Sequence, residues 1–184
     1  VTACFIAVAL ANMWAIATEP ATAIGGHGDS FFSVWRLAWI AHQIVIDPRH
    51  LFDANIFYPE RATLAYSDAI LLPGLLLAPL HWLGVHPLTI YNGALIACFV
   101  LNALAAYALV RHLTGSTAAG LLGGLIYGFS PHRFDHFDHF EMQVAFWIPL
   151  AVLAWHRAMT RGRTRDHLLT GFFAACQVLS SIYY

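Results

Sequence analysis

The chain has 184 residues, of which 59% are hydrophobic and 10% charged, with a net charge of -1 at pH 7. An average soluble domain carries about 25% charged residues, so this sequence lacks the polar surface to cover a water-soluble globule and is expected in a bilayer. All nine basic residues are Arg, and with no basic field nucleic acid is excluded as a partner.

Cys4, Cys98 and Cys176 stand in apolar runs without metal-type spacing and are expected to be free core or lipid-facing residues. The chain opens inside one hydrophobic run and stops inside another, so it reads as a fragment of a longer polypeptide. A cleaved signal peptide is the alternative reading of residues 1–18.

The expected fold is all-α: a polytopic membrane helix bundle forming a single transmembrane domain, with interfacial helices in a long first outer loop. A span needs roughly 17 to 25 apolar residues. Candidates are residues 1–18, 88–110, 115–130, 142–159 and 168–184. Gly120, Gly124 and Gly128 recur every fourth residue in the third, which predicts close approach of a neighbouring helix. The run 69–85 contains Pro73 and Pro79, each lacking a backbone donor, and is expected to lie at the interface. If it does not cross, Arg111, Arg157, Arg161, Arg163 and Arg165 all face the cytoplasm, as the positive-inside rule requires.

The first outer loop, residues 19–87, then shares the opposite side with the second, residues 131–141. A helix over 30–46 is expected, capped by Asp29 or Ser30. At about 100° per residue, Asp29, Ser33, Arg36 and Gln43 form a narrow polar stripe among Phe31, Phe32, Trp35, Trp39 and Ile40, a pattern suited to the membrane interface. Asp29 is either a cap or a catalytic acid near the mouth of the bundle. Arg49 and Arg61, on the outer side, are either tolerated loop residues or face an anionic ligand.

The second outer loop holds RFDHFDHFE, residues 133–141, a triplet repeat of Phe, acid and His. Read as a helix continuing the third span, it places Phe134, Phe137 and Phe140 on one third of the circumference. Asp135, Asp138 and Glu141 take the second third, and His132, His136 and His139 the last. Pro131 fits the first helical position with Ser130 as cap. The His set could ligate Zn, the acids could hold a divalent cation or a sugar hydroxyl, and a simple solvated loop is the plain alternative. No His is placed centrally in a span, which argues against haem.

The stretches GDSFFSVWRLAW, LFDANIFYPERATLAYSD, YNGALIA and SPHRFDHFDHFE resemble those of C-type (GT-C) integral-membrane glycosyltransferases, a superfamily that includes oligosaccharyltransferases, protein O-mannosyltransferases and the aminoarabinose transferase of lipid A. The resemblance covers the whole chain and implies sugar transfer from a polyprenyl-phosphate donor to an extracytoplasmic glycan, lipid or protein acceptor. It further implies a place in the bacterial plasma membrane with the site facing outward. It makes Asp29 the acid that binds or deprotonates the acceptor, and Asp135 and Asp138 the second-loop acidic motif. Asp135, Asp138 and Glu141 are the implied ligands of a divalent cation, Mg or Mn. This sequence departs from the family in that two residues rather than one separate the paired acids. Arg133, with His132 or His136, and Arg61 and Arg49 from the first loop, could instead complement the lipid phosphate. The alternative function is a non-catalytic membrane protein, a transporter or a lipid-binding assembly subunit. Asn92 and Asn102 are the notable polar side chains well inside a span and no acid lies deep in one, which disfavours ion coupling.

Overall fold

The computed structural model describes residues 1–26 and 28–184 and is all-helical among them. In chain order the helices are α1 (Thr2–Asn12), α2 (Trp14–Thr18), α3 (Gly28–Ile46), α4 (Leu71–Trp82), α5 (Pro87–Thr114), α6 (Thr117–Gly128), α7 (Pro131–Asp135), α8 (Phe140–Gln143), α9 (Trp147–Arg161) and α10 (Thr164–Ser180). Two 3-10 turns, Pro48–His50 and Thr63–Tyr66, lie in the loop between α3 and α4. Of these helices, α5 alone is long and apolar enough to cross a membrane by length and composition.

Helix α5 is the central post. Its 28 residues rise about 42 Å, starting on Pro87 at a position where a missing N–H costs nothing and ending at Gly115, whose φ of 71° suits glycine. Ser116 then caps α6 by accepting from the Ala119 amide. The two helices run antiparallel and pack closely because of the expected glycines. A Cβ on Gly124 would lie 2.7 Å from the Ala103 carbonyl oxygen, and one on Gly128 would lie 2.6 Å from the Ala103 Cβ. Tyr91, Leu95, Cys98 and Phe99 of α5 meet Ala9 of α1, Met13 between α1 and α2, Ile16 of α2, and Leu37 and Ile40 of α3, in one buried core.

Helices α3 and α4 occupy the places expected for the two interfacial helices, and they pack on each other. Gly74 admits the Ile40 side chain, and the Trp82 indole donates to the Ala41 carbonyl at 2.9 Å. Pro73 falls in the first turn of α4, where its ring is harmless, while Pro79 lies inside the helix. Contrary to the expectation of a polar stripe at headgroup level, the stripe of α3 turns inward: Ser33 and Arg36 are fully buried. Neither Asp29 nor Ser30 caps α3, because the helix starts at Gly28, putting both in its first turn. Residue 27 lies outside the described residues.

The loop after α3 is held by indoles, Trp35 donating to Asn55 at 3.1 Å and Trp39 to the Leu51 carbonyl at 2.8 Å. Within it the His50 ring, 2.6 Å from Asp47, holds that carboxyl below the usual range.

The outer faces of the helices are apolar. Leu168, Phe172 and Leu179 of α10, Val152, Trp155 and Met159 of α9, and Leu122 and Ile126 of α6 are all exposed, at helical spacing.

Because the α5–α6 approach leaves no room for a side chain, Gly124→Val is expected to destabilise the protein by about 1–3 kcal/mol. Gly93→Ala, at a position with open space around it, should leave stability unchanged or slightly raised. Thermal unfolding in neutral detergent compares the two.

Candidate functional site

The site is built where residues 19–30, the start of α5 and the triplet-repeat segment come together. Asn92 donates to the carbonyls of Pro20 and Ala23 at 2.9 and 2.8 Å, clipping the segment after α2 onto α5. The Tyr91 hydroxyl donates to Ser30 at 3.1 Å, and Ser30 donates to the Gly25 carbonyl at 2.6 Å. Gly25 and Gly26 then form a floor against the triplet segment. A Cβ on Gly25 would strike the Phe137 ring at 2.3 Å, and one on Gly26, whose φ is 85°, would meet the Asp138 Cβ at 2.4 Å. Only a glycine pair lets these two strands of loop touch.

The triplet repeat is not a continuous helix, correcting the expectation. It forms α7, a turn through residues 136–139, and α8. Pro131 and Ser130 do hold the expected first and cap positions of α7, although the Ser130 side chain makes no capping bond. The break has a physical cause in Gln143, whose amide donates to the carbonyls of Arg133 at 3.1 Å and His136 at 2.6 Å, taking acceptors that helix continuation would use. Arg133 ties the segment to its flanking helices, donating to the Tyr127 carbonyl of α6 at 2.7 Å and the Met142 carbonyl of α8 at 3.3 Å. Asn102 holds the Gln143 carbonyl at 2.7 Å.

The three residue classes of the repeat separate differently from the expectation. The Phe face survives and enters protein: Phe134 and Phe137 lie 5.3 and 5.9 Å from Phe99, and Phe140 lies 5.7 Å from Tyr91, centroid to centroid. The His face survives in part, with centroids 4.3 Å apart for His132 and His136 and 5.8 Å for His136 and His139. The acid face does not survive. Asp135 is exposed at the end of α7. Glu141 is buried against Arg36 at 2.6 Å, with side-chain exposures of 6% and 1%. Asp138 alone turns toward Asp29.

The result is a cluster of Asp29, Asp138 and His139. His139 Nδ1 lies 2.9 Å from Asp138 Oδ1, and its Nε2 lies 3.4 Å from Asp29 Oδ2. One ligand atom from each residue lies within 4.8 Å of the other two. Asp29 is exposed to solvent, and Asp138 and His139 are half-buried. The set read from sequence, Asp135, Asp138 and Glu141, is not brought together: Asp135 is exposed on α7 and Glu141 is paired with Arg36, and the groups that do converge with Asp138 are Asp29 and His139. The sequence carried His139 only as one of three histidines, and nothing in its spacing distinguished the one at which the turn breaks.

Arg133 is not a free cation at this cluster. It is 5% exposed, stacked over Tyr127 and bonded to backbone carbonyls. With His132 it borders a separate cavity of about 390 Å³ beside Tyr184. The His136 Nδ1–H donates to the His132 carbonyl at 2.9 Å. Arg49 and Arg61 are exposed on the loop between α3 and α4, without ion pairs among the described residues.

Arg36 links the site to the rest. Besides Glu141 it donates to Ser33 at 2.8 Å and to the Asp68 carbonyl. The Asp68 carboxylate in turn accepts from the Ser181 hydroxyl at 2.8 Å and the Ile182 amide, closing the end of α10. Removing one member of a buried ion pair strands the other, so Glu141→Leu is expected to cost about 3–5 kcal/mol. Arg36→Met/Glu141→Leu should cost less than the two single changes added together. Asp135→Asn should change stability by about 0.5 kcal/mol or less. Chemical unfolding in detergent micelles measures all four variants.

Among known proteins, residues 37–184 match a family described as a domain of unknown function, DUF6311. The match includes Asp138, His139 and Glu141 and begins just after Arg36. No curated protein and no solved structure matches the chain. With the family pattern extending from α3 to Tyr184, the chain belongs to the DUF6311 family.

Proposed function

We propose that the protein is a polytopic membrane glycosyltransferase of the GT-C type, moving a sugar from a polyprenyl-phosphate donor to an acceptor on the outer side of a bacterial plasma membrane. The observation that carries this reading is the meeting of Asp29, from the first long loop, with Asp138 and His139, from the second, within 4.8 Å. Two loops more than a hundred residues apart in sequence supply one open acidic cluster, the arrangement that the resemblance implies.

Membrane embedding is supported by the exposed apolar stripes of α6, α9 and α10, which a water-soluble protein would turn inward. Helix α4 carries Pro79 inside it, and a helix interrupted by a missing backbone donor is in keeping with an interfacial place. The polarity of α5 sets the Asp29 cluster at one end and Arg111 near the other, so the acidic site faces outward when the arginines face the cytoplasm.

In the proposed reaction the acceptor oxygen or nitrogen attacks C1 of the sugar as the bond from C1 to the phosphate oxygen breaks. The acceptor proton passes to the Asp29 carboxylate, and the lipid phosphate departs with the bonding electron pair. The phosphate is a good leaving group, so a positioned base and nearby positive charge suffice. With its Nδ1–H donated to Asp138, a neutral His139 turns its Nε2 lone pair toward Asp29, so Asp138 orients the imidazole and the three groups face a shared point. The donor set of two carboxylates and one imidazole fits a divalent cation with open positions, and the imidazole favours Mn over Mg. Asp29, Asp138 and His139 would hold it, and the cation would supply charge to the departing phosphate. Arg49 and Arg61 remain proposed phosphate partners from the first loop.

One observation favours the non-catalytic alternative: His139 already pairs with both acids, as a purely structural cluster would.

In membranes supplied with a radiolabelled polyprenyl-phosphate sugar, Asp29→Asn and Asp138→Asn should each lower transfer by about 10²–10⁴-fold, while Asp135→Asn retains it. Full activity in both of the first two variants would refute the assignment. Chelation should abolish transfer and Mn should restore it, with His139→Ala needing about tenfold more Mn. Transfer that survives exhaustive chelation would remove the cation.

A further inference from the structure

A second polar cavity lies at the other end of α5. It measures about 510 Å³, opens between α5 and α9, and is lined by Tyr107, Ala108, Arg111, His112, Gly115 and Arg157. From Tyr91, beside the Asp29 cluster, to Arg111 the helix rises about 30 Å, so the cavity is no part of the site described above.

Its walls carry arginines with no ion-pair partner among the described residues. The Arg111 guanidinium lies over the Tyr107 ring, 5.8 Å from the centroid, which fixes its direction without consuming its donors. His112 meets His156 edge-on at 5.3 Å. Arg157 Nε and His156 Nδ1 are both buried, and neither has a hydrogen-bond partner among the described residues. No carboxylate pairs with Arg111, Arg157 or Arg161 among those residues. The acid that follows in sequence, Asp166, is buried at the start of α10 and its Oδ2 engages none of them. A buried donor left unmade costs about 1–3 kcal/mol. Positive charge near a cytoplasmic surface explains why arginines occur at this end, but not why two of them and a histidine border one concavity.

We propose that this cavity binds the phosphate group of an anionic ligand, held between the Arg111 and Arg157 guanidinium groups with His112 beside them. Planar guanidinium forks match phosphate oxygens in a paired geometry that ammonium groups do not. The phosphate comes either from a phospholipid headgroup of the inner leaflet or from a soluble phosphate compound, and one experiment separates the two.

The full chain is purified in neutral detergent and its thermal unfolding followed against inorganic phosphate and pyrophosphate. It is then reconstituted in nanodiscs of phosphatidylcholine with or without phosphatidylglycerol. Saturable stabilisation by the soluble anions identifies a soluble ligand, and stabilisation by phosphatidylglycerol alone identifies a headgroup. In either case Arg111→Gln/Arg157→Gln should weaken the half-saturation by about tenfold or more. Arg163→Gln/Arg165→Gln, which removes the same charge outside the cavity, should leave it unchanged. Arg111→Gln alone, at an exposed position, should weaken it in the same direction if the double variant does not fold. No stabilisation of the unaltered protein by any of these probes overturns the proposal, as does an equal loss in the two double variants.

Discussion

A guanidinium and a carboxylate taken out of water together form the constraint on which the arrangement depends. Arg36 and Glu141, 105 positions apart, meet at 2.6 Å in the interior. Desolvating each ion costs several kcal/mol, so the pair is tolerable only if geometry and further hydrogen bonds offset that cost. Ser33 and the Asp68 carbonyl provide those bonds. The pair therefore specifies register more than it adds stability: α3 can sit against the second loop only where Arg36 finds Glu141. Asp29, two turns earlier on the same rigid helix, is carried with it to Asp138 and His139.

The remaining contacts at that end serve the same placement. Asn92 and Asn102, polar groups in an apolar helix, hold backbone carbonyls of the two loops against α5 rather than an ion in transit. Gln143 satisfies the carbonyls exposed where the triplet repeat stops being helical, and Arg133 binds one near the end of α6. Two glycines, 25 and 26, remove the side chains that would keep the loops apart. The acids that remain accessible stand on a packed frame, a requirement for positioning a reacting group. The opposite end of the same helix collects arginines instead, giving the protein one acidic and one basic pole.

Helices with strong periodicity or clear punctuation were legible in the sequence. Pro87 and Gly115 bound α5, the glycines at 120, 124 and 128 mark its partner, and the two interfacial candidates became α3 and α4. Failure came where long-range pairing overrode local pattern. A strict triplet reads as one helix with an acid face, but Gln143 captures the Arg133 and His136 carbonyls from outside the repeat, and the acids scatter. The inward turn of the α3 polar stripe was hidden for the same reason: a buried Arg with a distant Glu partner leaves no local sign. Asp29 and Asp138 could be found because both stand beside aromatics in segments outside the expected spans, while His139 became distinct only through the turn that precedes it.

The most direct measurement is cross-linking across the cluster in intact membranes. In a chain freed of Cys4, Cys98 and Cys176, cysteines replace Asp29 and Asp138, and a short bifunctional thiol reagent is applied with Arg36 present or changed to Met. Rapid cross-linking with Arg36 in place and its loss in Arg36→Met is the result expected if the buried ion pair sets the meeting of the two loops. Absence of cross-linking with Arg36 present, or equal cross-linking in both, would contradict it.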